Sequence, residues 1–246
     1  MSRIIYTTCG TSLFTSNCWR GISDTDSIFK SQSPEREDHE KRYRDFTQKE
    51  MNNDATGRSL VDKFDKDVWE DDSKITWLTA ELASLKAILK FFKSKNEPLD
   101  KSDEIILIHS DNYEGKFCAQ VIDMILNEKI NVGCPVERKE FKGLDPQNAD
   151  SFNKALKEIW EFCRNYIHNN SNDTHIFNLT GGYKGTAILL GGLVYKEHAT
   201  SNIVIFYLHE TTDYQNIAVN GYIDQDFSAG YVEVETGHYV SSVGGL

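Results

Sequence analysis

Ile4–Thr8, Ile105–Ile108, His175–Leu179 and Ile203–Leu208 are short apolar runs rich in β-branched residues, separated by longer stretches of helical periodicity. Runs this short are strands rather than helices, and unbroken apolar strands are covered on both faces. Between the first two, Ile75, Leu78, Leu82, Leu85, Leu89 and Phe92 recur at steps of 3, 4, 3, 4 and 3. That stripe reads as one helix, ended by Asn96 and Pro98. Further helices are expected over Gly115–Asn127, Ala149–His168 and Gly185–His198, with a strand near Val136–Phe141. Alternating covered strands and helices define an α/β protein: a mainly parallel sheet with helices on both faces. Weaker alternation over Ile217–Ile223 and Tyr231–Val234 predicts a C-terminal hairpin. The reading is one domain over residues 1–246.

Charge is concentrated in one place. Residues 20–74 hold 26 charged side chains, 15 acidic and 11 basic, so this segment reads as a polar insertion after the first strand, partly helical and facing solvent. A lid over a ligand is the other reading of it. The net charge of −11 provides no basic field for tracking long DNA or RNA. Nor does the longest uncharged apolar stretch, between Lys184 and Lys196, approach the ~20 residues of a spanning helix. The N-terminus lacks a signal-peptide pattern. Five cysteines without a CxxC pair or zinc spacing read as buried, reduced thiols of a cytoplasmic protein.

In parallel α/β sheets, ligands bind beyond the carboxyl ends of the strands. Those ends carry Cys9-Gly10-Thr11-Ser12, then His109-Ser110-Asp111-Asn112, then Thr180-Gly181-Gly182-Tyr183-Lys184-Gly185, and finally His209-Glu210. The glycines of the third loop permit close approach of backbone to ligand, the following helix start favours an anion, and Lys184 adds a cation. A Gly-Gly turn that merely joins strand to helix is the plainer account of the glycines alone. The first and third loops carry donors and no acids, which suits phosphate or ribose rather than a metal; no metal site and no cofactor are expected. His109 and His209 are candidate general bases, and equally ordinary hydrogen-bonded histidines at the sheet rim.

The opening Ile-Ile-Tyr-Thr-Thr-Cys-Gly-Thr-Ser-Leu, Thr79-Ala-Glu-Leu-Ala-Ser-Leu, Ser110-Asp-Asn-Tyr-Glu-Gly and Asn178-Leu-Thr-Gly-Gly-Tyr-Lys-Gly together resemble the CRISPR-associated Rossmann-fold (CARF) proteins. The resemblance covers about 1–20 and 75–215, and the Asn-x-Thr-Gly-Gly-x-Lys loop is its most specific part. It implies a Rossmann-like fold and a cytoplasmic homodimer that binds cyclic oligoadenylate across its axis. Many members carry a HEPN ribonuclease with an Arg-x4–6-His motif. Here Arg164 and His168 are separated by only three residues, and about 30 residues follow position 215, too few for such a domain.

A stand-alone member resembles a ring nuclease, which cleaves cyclic tetra-adenylate without a metal and switches off type III CRISPR signalling. The resemblance assigns Lys184 to charge stabilisation and Ser12 to positioning the ribose or scissile phosphate. Gly10, Thr11, Ser110, Asp111, Asn112, Thr180, Gly181, Gly182, Tyr183 and Gly185 would line the pocket. A sensor that binds the same ligand without turnover is the alternative.

Overall fold

The computed structural model describes residues 2–16, 54–145, 147–182, 184–197, 202–208, 218–223, 229–233 and 238–241. Strand β1 is Arg3–Thr8, and a 3-10 turn, Ser12–Thr15, follows it. Helices α1 (Asp54–Asp62), α2 (Lys66–Glu70) and α3 (Ala80–Ser94) precede β2 (Glu104–Ser110). Then come α4 (Tyr113–Met124), β3 (Val136–Phe141), α5 (Ala149–Asn169), β4 (Thr174–Asn178), α6 (Lys184–Glu197) and β5 (Asn202–Leu208). Three further strands complete the order: β6 (Ala218–Ile223), β7 (Ala229–Glu233) and β8 (His238–Ser241).

The sheet runs β3-β2-β1-β4-β5-β6-β7-β8. Its first five strands are parallel to one another, and β6 to β8 add on as antiparallel neighbours. The 3-2-1-4-5 core is the doubly wound, Rossmann-like arrangement expected of covered parallel strands. The C-terminal hairpin thus extends to a three-stranded meander. The segment His238–Ser241 is too short for its alternation to have registered as a strand.

Side chains alternate between two cores. Ile5, Ile105, Leu107, Ile176 and Phe206 face a layer made by α1, α2, α3 and α4, while Ile4, Tyr6, Ile106, Ile108 and Phe177 face α5 and α6. All of Ile105–Ile108 are essentially without exposure. Each such side chain contributes about 1.5–3 kcal/mol of burial, which is why β2 needs no polar alternation.

Two expectations are corrected. The stripe from Ile75 to Phe92 is not one helix: Asp72–Trp77 is a 3-10 turn, and Thr79 caps a new helix by accepting the Leu82 N–H on its Oγ1 at 3.0 Å. Ile75 and Leu78 remain buried because a 3-10 turn also returns to one face every third residue. Nor is the charged segment wholly solvent-facing. Residues 20–53 lie outside the described residues, but Leu60, Val61, Phe64 and Val68 are buried against the α3–α4 layer. Their steps of about four place an apolar stripe on otherwise charged helices.

The cysteines Cys9, Cys118, Cys134 and Cys163 are buried and unpaired. Burial pushes the Cys134 thiol up to about 12 and raises the other three as well, so these are packing groups rather than nucleophiles. Among the described residues no helix is long and apolar enough to cross a membrane.

Candidate functional site

The switch point of the sheet lies between β1 and β4. The chain leaves β1 toward α3 on one face and returns to β4 from α5 on the other, so a crevice opens above these strand ends. The pairing is parallel, with Thr7 beside Asn178, which brings both following loops to the same rim.

The two loops touch. A Cβ on Gly10 would lie 3.1 Å from both Cα and N of Gly182, and one on Gly181 would lie 2.7 Å from the Thr8 carbonyl oxygen. The Thr8 hydroxyl donates to the Gly181 carbonyl at 2.5 Å. Gly182 sits at φ +80°, where a side chain is strained, and its Cβ would also meet Thr8 Cβ at 2.7 Å. Loop-on-loop packing is therefore by itself a reason for these glycines.

Beneath them lies a polar layer. The buried Asn178 amide donates to Ser84 Oγ at 2.8 Å and to Thr7 Oγ1 at 3.3 Å, while its Oδ1 accepts from Thr180 N. Thr180 is buried, Thr11 exposed and Gly10 half-buried.

Glu81 is the residue that sequence reasoning missed. Its carboxylate, in the first turn of α3 and with no exposure, accepts the Gly10 N–H on Oε1 at 2.8 Å and the Ser12 hydroxyl on Oε2. Ala80 N in turn donates to Ser12 Oγ at 3.1 Å. A carboxylate at a helix N-terminus is well placed with respect to the helix dipole. The two loops carry no acid of their own, and the acid beside them arrives from a third element, α3. Its signal was there, because Glu81 lies three residues after Leu78 and four before Leu85, on a stripe that should be apolar.

Lys184 opens α6 and is exposed, with no acid in the first turn beside it. It follows directly on the touching loops. Gly185 is accounted for by packing, since its Cβ would lie 3.2 Å from the Phe152 ring. Next along, the Thr186 hydroxyl is buried without a hydrogen-bond partner among the described residues. Tyr183 and His209 lie outside the described residues.

The β2 loop is organised around its own helix. Asn112 caps α4 by accepting the Gly115 N–H at 2.8 Å and the Ser110 hydroxyl at 2.6 Å, and Asp111 Oδ1 accepts from Gly143 N at 2.9 Å. Gly115 is needed there, because a Cβ would collide with Ser110 Oγ at 2.1 Å. His109 is buried, its Nδ1 donates to the Ser110 carbonyl at 2.9 Å, and its ring is held below the ordinary histidine value by burial. It borders an open cleft of about 580 Å³ formed with Lys116, Gln120, Asp123 and Arg138 at the β3 edge. These contacts suit the rim-histidine account.

Arg164 and His168, the nearest approach to a ribonuclease motif, both bind Glu197 of α6, at 3.1 and 2.8 Å. Burial works to raise the Glu197 carboxyl, yet these two partners hold it below its usual range. Among the described residues no group of three or more His, Cys, Asp or Glu is placed to hold a metal ion.

The protein is a doubly wound α/β domain in which the Gly10 loop and the Gly181-Gly182 loop meet over the switch point, the rim at which folds of this class bind ligands, and the second loop leads into an exposed lysine. The family model for "CRISPR-associated protein (Cas_APE2256)" matches residues 78–215, more than half of the chain, and the protein belongs to that CRISPR-associated family. That range takes in α3 with Glu81, the β2 loop and the Asn178–Gly185 loop. No curated protein matches the chain.

Proposed function

We propose that this protein is a ring nuclease: it binds cyclic oligoadenylate, most simply cyclic tetra-adenylate, across a homodimer and linearises it, switching off type III CRISPR signalling. The single observation that carries this reading is the contact between the Gly10 and Gly182 loops, beside the exposed Lys184, in a CRISPR-associated α/β domain.

The chemistry requires no metal. The ribose 2′-oxygen attacks the adjacent phosphorus as the P–O5′ bond breaks; the 2′-hydroxyl loses its proton and the departing 5′-oxygen gains one. The products are a 2′,3′-cyclic phosphate and a 5′-hydroxyl. What a protein supplies is in-line geometry and a positive group near the charge that builds on the phosphoryl oxygens. Lys184 is the cation for that task, and Ser12 the group that positions the ribose.

Single-turnover incubation with radiolabelled cyclic tetra-adenylate in EDTA tests the proposal, with the products separated by chromatography. Appearance of linear product ending in 2′,3′-cyclic phosphate supports it. Recovery of intact ring from a stoichiometric complex after hours makes the protein a sensor rather than an enzyme. Binding of AMP or ATP in preference to the ring overturns the ligand class.

A further inference from the structure

We propose that the cleft between α4 and the edge strand β3 is a second ligand site, which takes an uncharged nucleoside by the edge of an amino-substituted base. It lies outside the loops after β1 and β4, and it does not depend on the ring-nuclease reading.

Lys116, Gln120 and Asp123 follow one another at steps of 4 and 3, so they share one face of α4. Lys116 Nζ pairs with Glu140 at 3.0 Å and Asp123 pairs with Arg138 Nε at 3.1 Å, which ties both ends of that face to β3. Gln120 stands on the helix between the two ion pairs. His109, beside Glu140 in the β2–β3 register, completes the lining. The space of about 580 Å³ is that of a small-molecule site.

Two hydrogen-bonding groups there are unused. A carbonyl only accepts, so the 2.9 Å contact to Ser110 O puts a hydrogen on Nδ1 of His109. In the neutral ring Nε2 is then a bare acceptor, and burial keeps the ring neutral against Glu140, with Arg138 and Lys116 acting in the same direction as burial. His109 is only 5% exposed, and its Nε2 has no hydrogen-bond partner among the described residues. Nor is that atom sealed in. Among the described residues Thr186 Oγ1 is the one fully buried side-chain polar atom without a partner, so Nε2 keeps its contact with the cleft. The half-buried Gln120 amide likewise has no partner among the described residues.

The lining selects the ligand. Both cations are already paired, and three carboxylates border the cleft against two cations, which disfavours a phosphate. His109 Nε2 calls for a donor, and the Gln120 amide for a donor and an acceptor side by side. On an uncharged molecule that complement is an exocyclic amino group next to a ring nitrogen, as adenine and cytosine present it. Gln120 pairs with the ring nitrogen and one amino hydrogen, and His109 takes the other hydrogen. An oxo group in place of the amino group, as in inosine, would set two acceptors against each other.

Isothermal titration calorimetry of the full chain with adenosine, inosine and nicotinamide tests the proposal. Wild type is expected to bind adenosine about tenfold more tightly than inosine, the value of one hydrogen bond. His109→Asn keeps a donor for Ser110 O and removes Nε2, so it should bind the two nucleosides within about twofold of each other. Gln120→Leu should weaken adenosine by about tenfold. No binding at millimolar adenosine, or equal binding of adenosine and inosine by wild type, overturns the inference. So does an undiminished preference in His109→Asn or an unchanged adenosine affinity in Gln120→Leu, since the nucleoside would then sit elsewhere. Nicotinamide carries a similar donor and acceptor edge without the purine, and its binding as tightly as adenosine would overturn the nucleoside class. Should His109→Asn fail to fold, Gln120→Leu decides alone. None of these readouts uses the cyclic ring, so their failure leaves the proposed function standing.

Discussion

Gly10 and Gly182 meet backbone to backbone: a Cβ placed on Gly10 would lie 3.1 Å from the Cα and from the N of Gly182. They belong to loops leaving β1 and β4, strands whose connections run over opposite faces of the sheet. Two loops that touch with no side chain between them expose peptide groups rather than side chains to whatever lies above. Glu81, entering from α3, pins the β1 loop from below through Gly10 N and Ser12 Oγ. The β1 side of the rim is thus held by hydrogen bonds within the protein, and a site ordered in advance lowers the ordering cost of binding.

Gly182→Ala should destabilise the protein by about 1–3 kcal/mol, since φ is +80° and Thr8 Cβ would be 2.7 Å away. Gly191→Ala, in the interior of α6 with nothing within 4 Å of its Cβ, should do the reverse by about 0.5–1 kcal/mol. Urea midpoints of the two variants separate a glycine needed for packing from one that is only tolerated. Equal shifts would show that loop contact is not what Gly182 provides.

The strands were legible because both of their faces are covered, so Ile105–Ile108 carries no polar interruption to confuse its period. The loops after β1 and β4 were legible for the same reason: parallel strands must end at one rim. Glu81 stands out locally as a charge on an apolar stripe, but its partners lie 71 and 69 residues away, so the stripe marks the residue without saying what it meets. The segment from Asp54 to Asp72 was misjudged from its composition. A stripe as narrow as Leu60, Phe64 and Val68 is submerged by the charges around it, although it is all that two short helices need to dock. Likewise Thr79 interrupts an apolar spacing that a 3-10 turn imitates.

Thr186→Val should stabilise the fold by about 1 kcal/mol. The hydroxyl is 1% exposed and has no hydrogen-bond partner among the described residues, so valine removes an unpaid desolvation while keeping the shape. Thermal melting measures this directly. A loss of stability would reveal a partner for Oγ1 in solution.

Stability should fall as the pH drops below about 6.5, the ordinary value for an unfolded histidine. Burial holds His175 below that value, as it does His109. Tyr6 OH faces His175 Nδ1 at 3.0 Å and Asn170 O faces Nε2 at 3.0 Å, a neutral ring's pattern of one donor and one acceptor. The unfolded chain binds more protons than the native one between the two values. Each lowered histidine thus contributes stability that is complete above pH 6.5 and lost on acidification, by at most about 1.4 kcal/mol per pH unit. Urea denaturation at pH 7.5, 6.5 and 5.5 checks the sign. His175→Gln should flatten the acid limb, and an unchanged limb would remove this histidine from the account.

Lys184→Ala should separate function from stability. A lysine at the first position of a helix opposes the helix dipole, at a cost of about 0.3–1 kcal/mol, and no acid in that turn offsets it. Because Lys184 is exposed, its removal exposes no cavity. The alanine variant should therefore melt at the wild-type temperature or up to about 3 °C above it. Binding of cyclic tetra-adenylate and its cleavage should meanwhile fall by about tenfold or more, as expected for one lost charge-assisted contact to a phosphate. Lys184→Arg should recover binding better than cleavage, since the guanidinium keeps the charge and changes its position. If Lys184→Ala both melts lower and cleaves normally, the lysine holds the helix start in place and the anion is bound elsewhere.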